Sequence, residues 1–257
     1  INDTSHKEIA NLVYRDGDNL IQNDMRPSME LNDIPFADYD VFIKNDKDTL
    51  YRPMCGSIYK TISLETQRGC PFKCSFCNSA SNNPLYKEET GSVFFRKKEM
   101  PRLAEELDYM ISTINPELVY FVSDVFLLMT DREFDEFYEV YSSYKIPFFM
   151  QTRAETITEY RVRKLEELNC LRANVGLEHG NEQFRRDVVK RKLKDVEITR
   201  AFNIIGSSSI STAANNIIGF PTETRELIFD TINLNRTVSK NVDSVSCFIF
   251  APYMGTP

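Results

Sequence analysis

From about residue 61 onward, short apolar runs alternate with longer amphipathic stretches, the pattern of strands followed by helices. TISLE, LVYFVS, IPFFMQT, LRANVGLE, STAANNIIGF and SVSCFIF predict six strands. Between them, KKEMPRLAEELDYMISTI sets Leu103, Leu107, Met110, Ile111 and Ile114 at helical spacing. DREFDEFYEVYSSYK opens on the acidic residues that suit a helix N-terminus. TEYRVRKLEELN, EQFRRDVV, DVEITRAFNII and ETRELIFDTINLNRTV supply the remaining helices. Parallel strands need crossover connections, so this alternation implies a parallel sheet. Residues 1–60 differ. They are polar and punctuated by Asn, Asp and Pro, and read as an irregular linker or tail, with a Tyr-Arg-Asp-Gly turn able to close a short hairpin.

The strand faces bear on whether the sheet is open or curled. An open sheet covered by helices on both sides is apolar on both. In LRANVGLE, Leu171, Ala173, Val175 and Leu177 alternate with Arg172, Asn174, Gly176 and Glu178. TISLE sets Ser63 and Glu65 against Ile62 and Leu64, IPFFMQTR carries Gln151 and Arg153 on one face, and LVYFVSD ends on Asp124. A barrel produces this asymmetry, apolar toward outer helices and polar toward a lumen that holds a ligand. For Asp124 and Arg153, fraying strand ends or an interior ion pair explain the polarity equally well; Asn174 lies too deep in its strand for that. The expected fold class is α/β, a partial (β/α)6 TIM-like barrel over residues 61–257, preceded by the linker at 1–60.

The length of 257 residues fits one such domain, since a full barrel takes about 250. A net charge of −7 and a pI near 5.1 argue against a broad nucleic-acid footprint, although Arg96, Lys97 and Lys98 form a local basic patch. No apolar run is long enough to span a membrane. A chain that opens on Ile1 and stops at GTP reads as part of a longer protein. The six cysteines are too sparse for a secreted disulfide framework, and three are bunched, which favours a reducing, cytoplasmic setting and a metal role.

Those three, Cys70, Cys74 and Cys77, lie in RGCPFKCSFC at the spacing C-x3-C-x2-C. Such thiolates suit an iron–sulfur cluster or a structural zinc. A zinc would need a fourth ligand, and Cys55 or His179 are the candidates, because His6 and His179 are the only histidines. Cys170 and Cys247 fall at or within predicted elements, as small apolar residues do. The alternative is a [4Fe–4S] cluster whose fourth iron is open to a ligand.

With Phe76 just before its last cysteine, this motif resembles the signature of the radical S-adenosylmethionine (radical SAM) superfamily, placed as in the family after the first barrel strand. Further segments over residues 61–257 are similar in the family's order. NVGLEHG resembles a fourth-strand motif whose glutamate, here Glu178, lies near the cofactor ribose. NIIGFPTET resembles a fifth-strand segment whose backbone beside Gly219 lines the adenine pocket, and FAPYMGTP the segment after the sixth strand. LVYFVSD resembles a second-strand run ending in two acids, but Ser123 replaces the first and only Asp124 remains. RPSMELNDIPFADYDVF resembles the connector after a cobalamin-binding domain in the cobalamin-dependent branch.

The resemblance implies a [4Fe–4S] cluster on Cys70, Cys74 and Cys77, with S-adenosylmethionine chelating the open iron and yielding a 5′-deoxyadenosyl radical. Phe76 would lie beside the adenine. Arg153 or Arg172 would pair with the methionine carboxylate, Glu178 would accept from the ribose hydroxyls, and Asp124, Gln151 and Glu65 would face the amine or the substrate. It further implies a low-potential flavodoxin or ferredoxin as electron donor, a small-molecule, lipid or peptide substrate, and cobalamin from a domain outside this chain. The outcome would be methylation or ring formation; the alternatives are a methylthiotransferase acting on tRNA or protein, and a non-enzymatic iron–sulfur or zinc protein. A hydrogen donor such as Tyr253 or Cys247 is not singled out by the sequence.

Overall fold

The computed structural model describes residues 6–44 and 47–256. Residues 1–5 of the predicted linker and the side chain of His6 lie outside the described residues. The first sixty residues carry more regular structure than their composition suggests. The expected hairpin forms from β1 (Val13–Asp16) and β2 (Asn19–Gln22), with Gly17 at φ +61° in its turn. After a single turn, α1 (Asp40–Ile43), strand β3 (Tyr51–Met54) pairs antiparallel with β4 (Ser57–Leu64), so the sheet begins inside the stretch read as linker. Pro53 obscures β3 in the sequence, yet proline is tolerated on an edge strand because no ladder donor is needed on the open side.

Past β4 the chain makes a detour before rejoining the sheet. A two-residue pair, β5 (Gln67–Arg68) with β6 (Arg96–Lys97), brackets the cysteine loop and α2 (Ser79–Thr90). Then follow α3 (Met100–Ile114), β7 (Leu118–Phe121), α4 (Asp131–Tyr141), β8 (Phe148–Arg153), α5 (Glu159–Glu167) and β9 (Cys170–Glu178). The last elements are α6 (Glu182–Asp187), α7 (Asp195–Ile205), β10 (Ser211–Ile218), α8 (Arg225–Val238) and β11 (Ser244–Ile249). The sheet order is β3-β4-β7-β8-β9-β10-β11, and every neighbouring pair from β4 to β11 is parallel. All six predicted strands are present, in chain order, as one curled half-barrel.

The outer face holds the core. Ile62, Leu64, Val119, Phe121, Phe148, Met150, Ala173, Val175 and Ala214 are buried against Leu103, Leu107, Phe137, Leu165, Phe202 and Leu234 of the helices. Phe121 alone touches four rings, those of Phe126, Phe137, Tyr141 and Phe148. The inner face follows from register: Ser63 lies opposite Tyr120, Tyr120 opposite Phe149, Gln151 opposite Asn174, and Asn215 opposite Gly176. The alternation read from LRANVGLE thus becomes a polar lumen behind an apolar wall. Among the described residues, no helix is long and apolar enough to cross a membrane.

Candidate functional site

The cysteine loop hangs over the C-terminal ends of the barrel strands, held by backbone-directed bonds. Gly69, at φ +86°, donates its N–H to Asp124 Oδ2 at 2.8 Å. Asn83 of α2 reaches back to the Cys70 carbonyl at 2.6 Å. Ser75 donates its N–H to the Val189 carbonyl at 3.1 Å and its hydroxyl to the Val188 carbonyl at 2.7 Å. Phe76 packs beside Phe184, Val189 and Phe220. The loop is therefore fastened to both the turn after β7 and the segment after α6.

Cys70, Cys74 and Cys77 line a cavity of about 140 Å³, shared with Phe76, Asp124, Gln151, Arg153, Asn174, Glu178, Arg191 and Asn215. A larger cavity, about 880 Å³, lies elsewhere, between β6, α3 and α4 on the outside of the barrel. Size does not identify the reactive site here, because the thiols and the buried charges converge on the smaller space.

A four-residue charge network forms the floor. The Arg153 guanidinium lies over the Phe72 ring, 3.8 Å from its centroid, donates to Cys74 Sγ at 3.2 Å and pairs with Glu155. Arg191, almost fully buried, donates to Glu178 Oε1 at 2.9 Å, to Glu155 Oε2 at 3.2 Å and to the Gly176 carbonyl at 2.9 Å. Burial opposes ionisation of Glu155, but Arg191 and Arg153 outweigh it and hold the carboxyl below its ordinary pKa. Burial prevails at Glu178 and raises its pKa despite the same two arginines. It also raises Asp124, against the bond from Gly69, and pushes the Cys70 thiol up to about 11.

The donor set fits a group larger than a single ion. Soft thiolates on a short loop are the ordinary ligands of an iron–sulfur cluster, and a cubane takes each sulfur on a different iron. Among the described residues, no trio of His, Cys, Asp or Glu is gathered as a single metal ion requires. Arg191 Nε and Asn215 Oδ1 are buried without a hydrogen-bond partner. Unsatisfied buried polar atoms carry a free-energy cost, and a polar ligand in this cavity would give them partners.

Eight of the eleven residues singled out from the sequence meet here: the three cysteines, Phe76, Asp124, Gln151, Arg153 and Glu178. Arg172 sits on the lumen face but near the other end, where it bonds Asn174 Oδ1 at 3.2 Å, Ser211 Oγ at 3.3 Å and Ser244 Oγ at 2.6 Å. Gly219 occupies the turn after β10 at φ +84°, where its N–H and that of Phe220 are received by Glu223 Oε2. Glu65 pairs with Arg68. Sequence reasoning missed Arg191, which belongs to no strand, and Asn215, which extending the strand alternation to STAANNII would have found.

The radical SAM superfamily model matches residues 64–234, more than half of the chain. The chain belongs to that superfamily, whose cofactors are a [4Fe–4S] cluster and S-adenosylmethionine. An uncharacterised methyltransferase of Pyrococcus horikoshii is 25% identical, over 97% of this chain and 51% of its own. The anaerobic magnesium-protoporphyrin IX monomethyl ester cyclase of Cereibacter sphaeroides is 23% identical, over 90% of this chain and 36% of its own. The chain thus spans about half or less of these relatives' length. Among solved structures, the cobalamin-dependent S-adenosylmethionine radical enzyme OxsB superposes with a TM-score of 0.67 at 16% identity, covering 90% of this chain and 32% of that one. The methyltransferase TsrM from Kitasatospora setae gives 0.60 at 13%, covering 74% and 37%. At such identities these two speak for the half-barrel fold alone.

Proposed function

We propose that this protein is a radical SAM enzyme that modifies an organic substrate, most simply by methyl transfer. The observation that carries the reading is the convergence of three clustered thiols and a buried Arg–Glu network on one cavity at the ends of the barrel strands. When bound, the cluster with S-adenosylmethionine supplies an electron to the sulfonium and so a 5′-deoxyadenosyl radical able to take hydrogen from carbon. Cys70, Cys74 and Cys77 would hold the cluster.

The remaining residues position and shield. Arg153 places a fixed positive charge against the Cys74 sulfur and braces Phe72 beneath it. Arg191 and Glu178 offer a guanidinium and a carboxylate side by side, suited to an amino acid's carboxylate and to sugar hydroxyls respectively. Asn215 Oδ1, buried and unpartnered, is an acceptor for a ligand N–H or O–H. Phe76, packed on Phe184 and Phe220, closes the cavity with an apolar wall. Methyl transfer is supported by the name of the Pyrococcus horikoshii relative, and use of cobalamin, through a domain outside this chain, by the fold shared with two cobalamin-binding neighbours. A low-potential flavodoxin or ferredoxin would supply the electron.

Anaerobic reconstitution with iron and sulfide, followed by EPR of the reduced protein, tests this reading. A [4Fe–4S]⁺ signal that changes on adding S-adenosylmethionine, with 5′-deoxyadenosine formed, supports it. A cluster indifferent to S-adenosylmethionine, or one bound zinc in its place, would overturn it.

A further inference from the structure

We infer that a second compartment of the barrel lumen, beside the cysteine-lined cavity, receives the substrate, and that it suits a flat, ring-bearing molecule carrying an acidic group. This deepens the proposed function and rests on reading the neighbouring cavity as the cofactor site. The compartment has a volume of about 420 Å³ and lies on the lumen side of β3, β4, β7 and β8. Register places its residues on the same face as the cofactor cavity: Arg52 opposite Tyr59, Ser63 opposite Tyr120 and Tyr120 opposite Phe149, with Gln151 two residues along β8. The two spaces share a wall. The Gln151 amide, which faces the cysteines, donates to the Tyr120 hydroxyl, and Tyr120 lines the second compartment.

Its chemistry is specific. The Tyr120 and Phe149 rings stack at 4.6 Å with an interplanar angle of 21°, giving an aromatic surface on the lumen face. Leu50, Met54 and Pro53 complete an apolar wall. Planar rings are received by such surfaces in offset or edge-on contact. Among the described residues, the one charged member of the lining is Arg52. Its guanidinium donates to the Tyr51 carbonyl at 3.2 Å and has no carboxylate partner among the described residues. The other lumen arginines, in contrast, are engaged: Arg153 and Arg191 with glutamates, Arg172 with Asn174 and two serines. A guanidinium with no carboxylate among the described lining residues selects an anion, carboxylate or phosphate, by its paired donors. The larger cavity outside the barrel carries no such preference, since Lys97 and Arg132 there are already paired with Glu133 and Glu136.

The chain contains no tryptophan, so naphthalene emission can be read to the red of the tyrosine emission. The full chain is titrated with 2-naphthylacetate, 2-naphthyl phosphate and 2-naphthylmethylamine, reading fluorescence anisotropy. One of the two acids should bind about tenfold more tightly than the amine, roughly the weight of one charge-assisted pair, and the tighter acid identifies the group. Arg52→Gln should abolish that preference without altering circular dichroism, and Arg52→Lys should restore part of it. Equal binding of acids and amine, or a preference that survives Arg52→Gln, overturns the inference. Failure of the proposed function reads differently: the acids would still bind through Arg52, but no 5′-deoxyadenosine would form from S-adenosylmethionine.

Discussion

His179 and Glu223 form a buried pair, Nε2 to Oε1 at 2.9 Å, that ties the end of β9 to the turn after β10. His179 follows Glu178 of the charge network directly, and its Nδ1 accepts from the Asn181 N–H at 3.1 Å while its ring stacks on Phe184. The other Glu223 oxygen receives the backbone N–H groups of Gly219 and Phe220. Two strand ends that border the site are thereby fixed to one another.

This pair makes stability depend on pH in a defined direction. Burial holds the His179 imidazole below its ordinary pKa, only partly offset by Glu223. Below about pH 6.5 the unfolded chain binds a proton there that the folded chain refuses. The contribution is therefore complete above that value and is lost as the pH falls through it. The melting-temperature advantage of the wild type over His179→Gln should shrink between about pH 7.5 and 5.5. A gap that stays constant with pH would remove His179 from the account.

Much of this was legible in the sequence, because burying one face of a strand imposes a period of two on its residues. Ile62, Leu64, Ala173 and Val175 are apolar because they face helices, and Gln151, Asn174 and Glu178 are polar because they face a lumen. Alternation gives the face but not the height along the barrel. Arg172 and Arg153 therefore look alike in sequence, yet only Arg153 reaches the cysteines. Helix α2 went unread because SASNNPLYKEET has no apolar stripe and contains Pro84. Its position is set by contacts the sequence does not display, such as Asn83 to the Cys70 carbonyl and Gly91 in the left-handed region at φ +70°. Arg191 lies in a loop between two helices, where no periodicity marks a side chain as buried.

Cys74→Ala should prevent cluster assembly, since three thiolates on one loop leave no spare ligand. Iron and sulfide content after anaerobic reconstitution should fall to background, whereas Cys55→Ala and Cys247→Ala, at exposed positions, should load like the wild type. Normal loading of Cys74→Ala would mean that another residue completes the site.

Gly180 and Gly17 separate two reasons for glycine. A Cβ on Gly180 would fall onto the backbone of Asp230 and Thr231 in α8, which cannot rotate away. Overpacking typically costs 1–3 kcal/mol, so Gly180→Ala should lose about 3 kcal/mol in urea unfolding. Gly17 has open space around it but φ +61°, so Gly17→Ala should lose only about 1 kcal/mol, from backbone strain alone. Equal losses at both positions would contradict the close packing of β9's end against α8.

Arg191→Ala should be the most damaging single change in the site apart from the cysteines. It removes the ion-pair partner of Glu178 and the donor to the Gly176 carbonyl, leaving the buried Glu178 carboxylate uncompensated, while the part-exposed Glu155 keeps Arg153. Removing one partner from a buried ion pair costs about 3 kcal/mol or more, most of it the penalty of the charge left behind. Glu178 already has a raised pKa with Arg191 present, so the variant should take up a proton there more readily and regain stability as the pH is lowered. Glu178→Gln in the Arg191→Ala background should recover part of the loss, because the orphaned charge is gone. A double-mutant cycle by chemical denaturation reads the coupling directly. Strict additivity of the two substitutions would show that they act independently and that the network is only a set of neighbours.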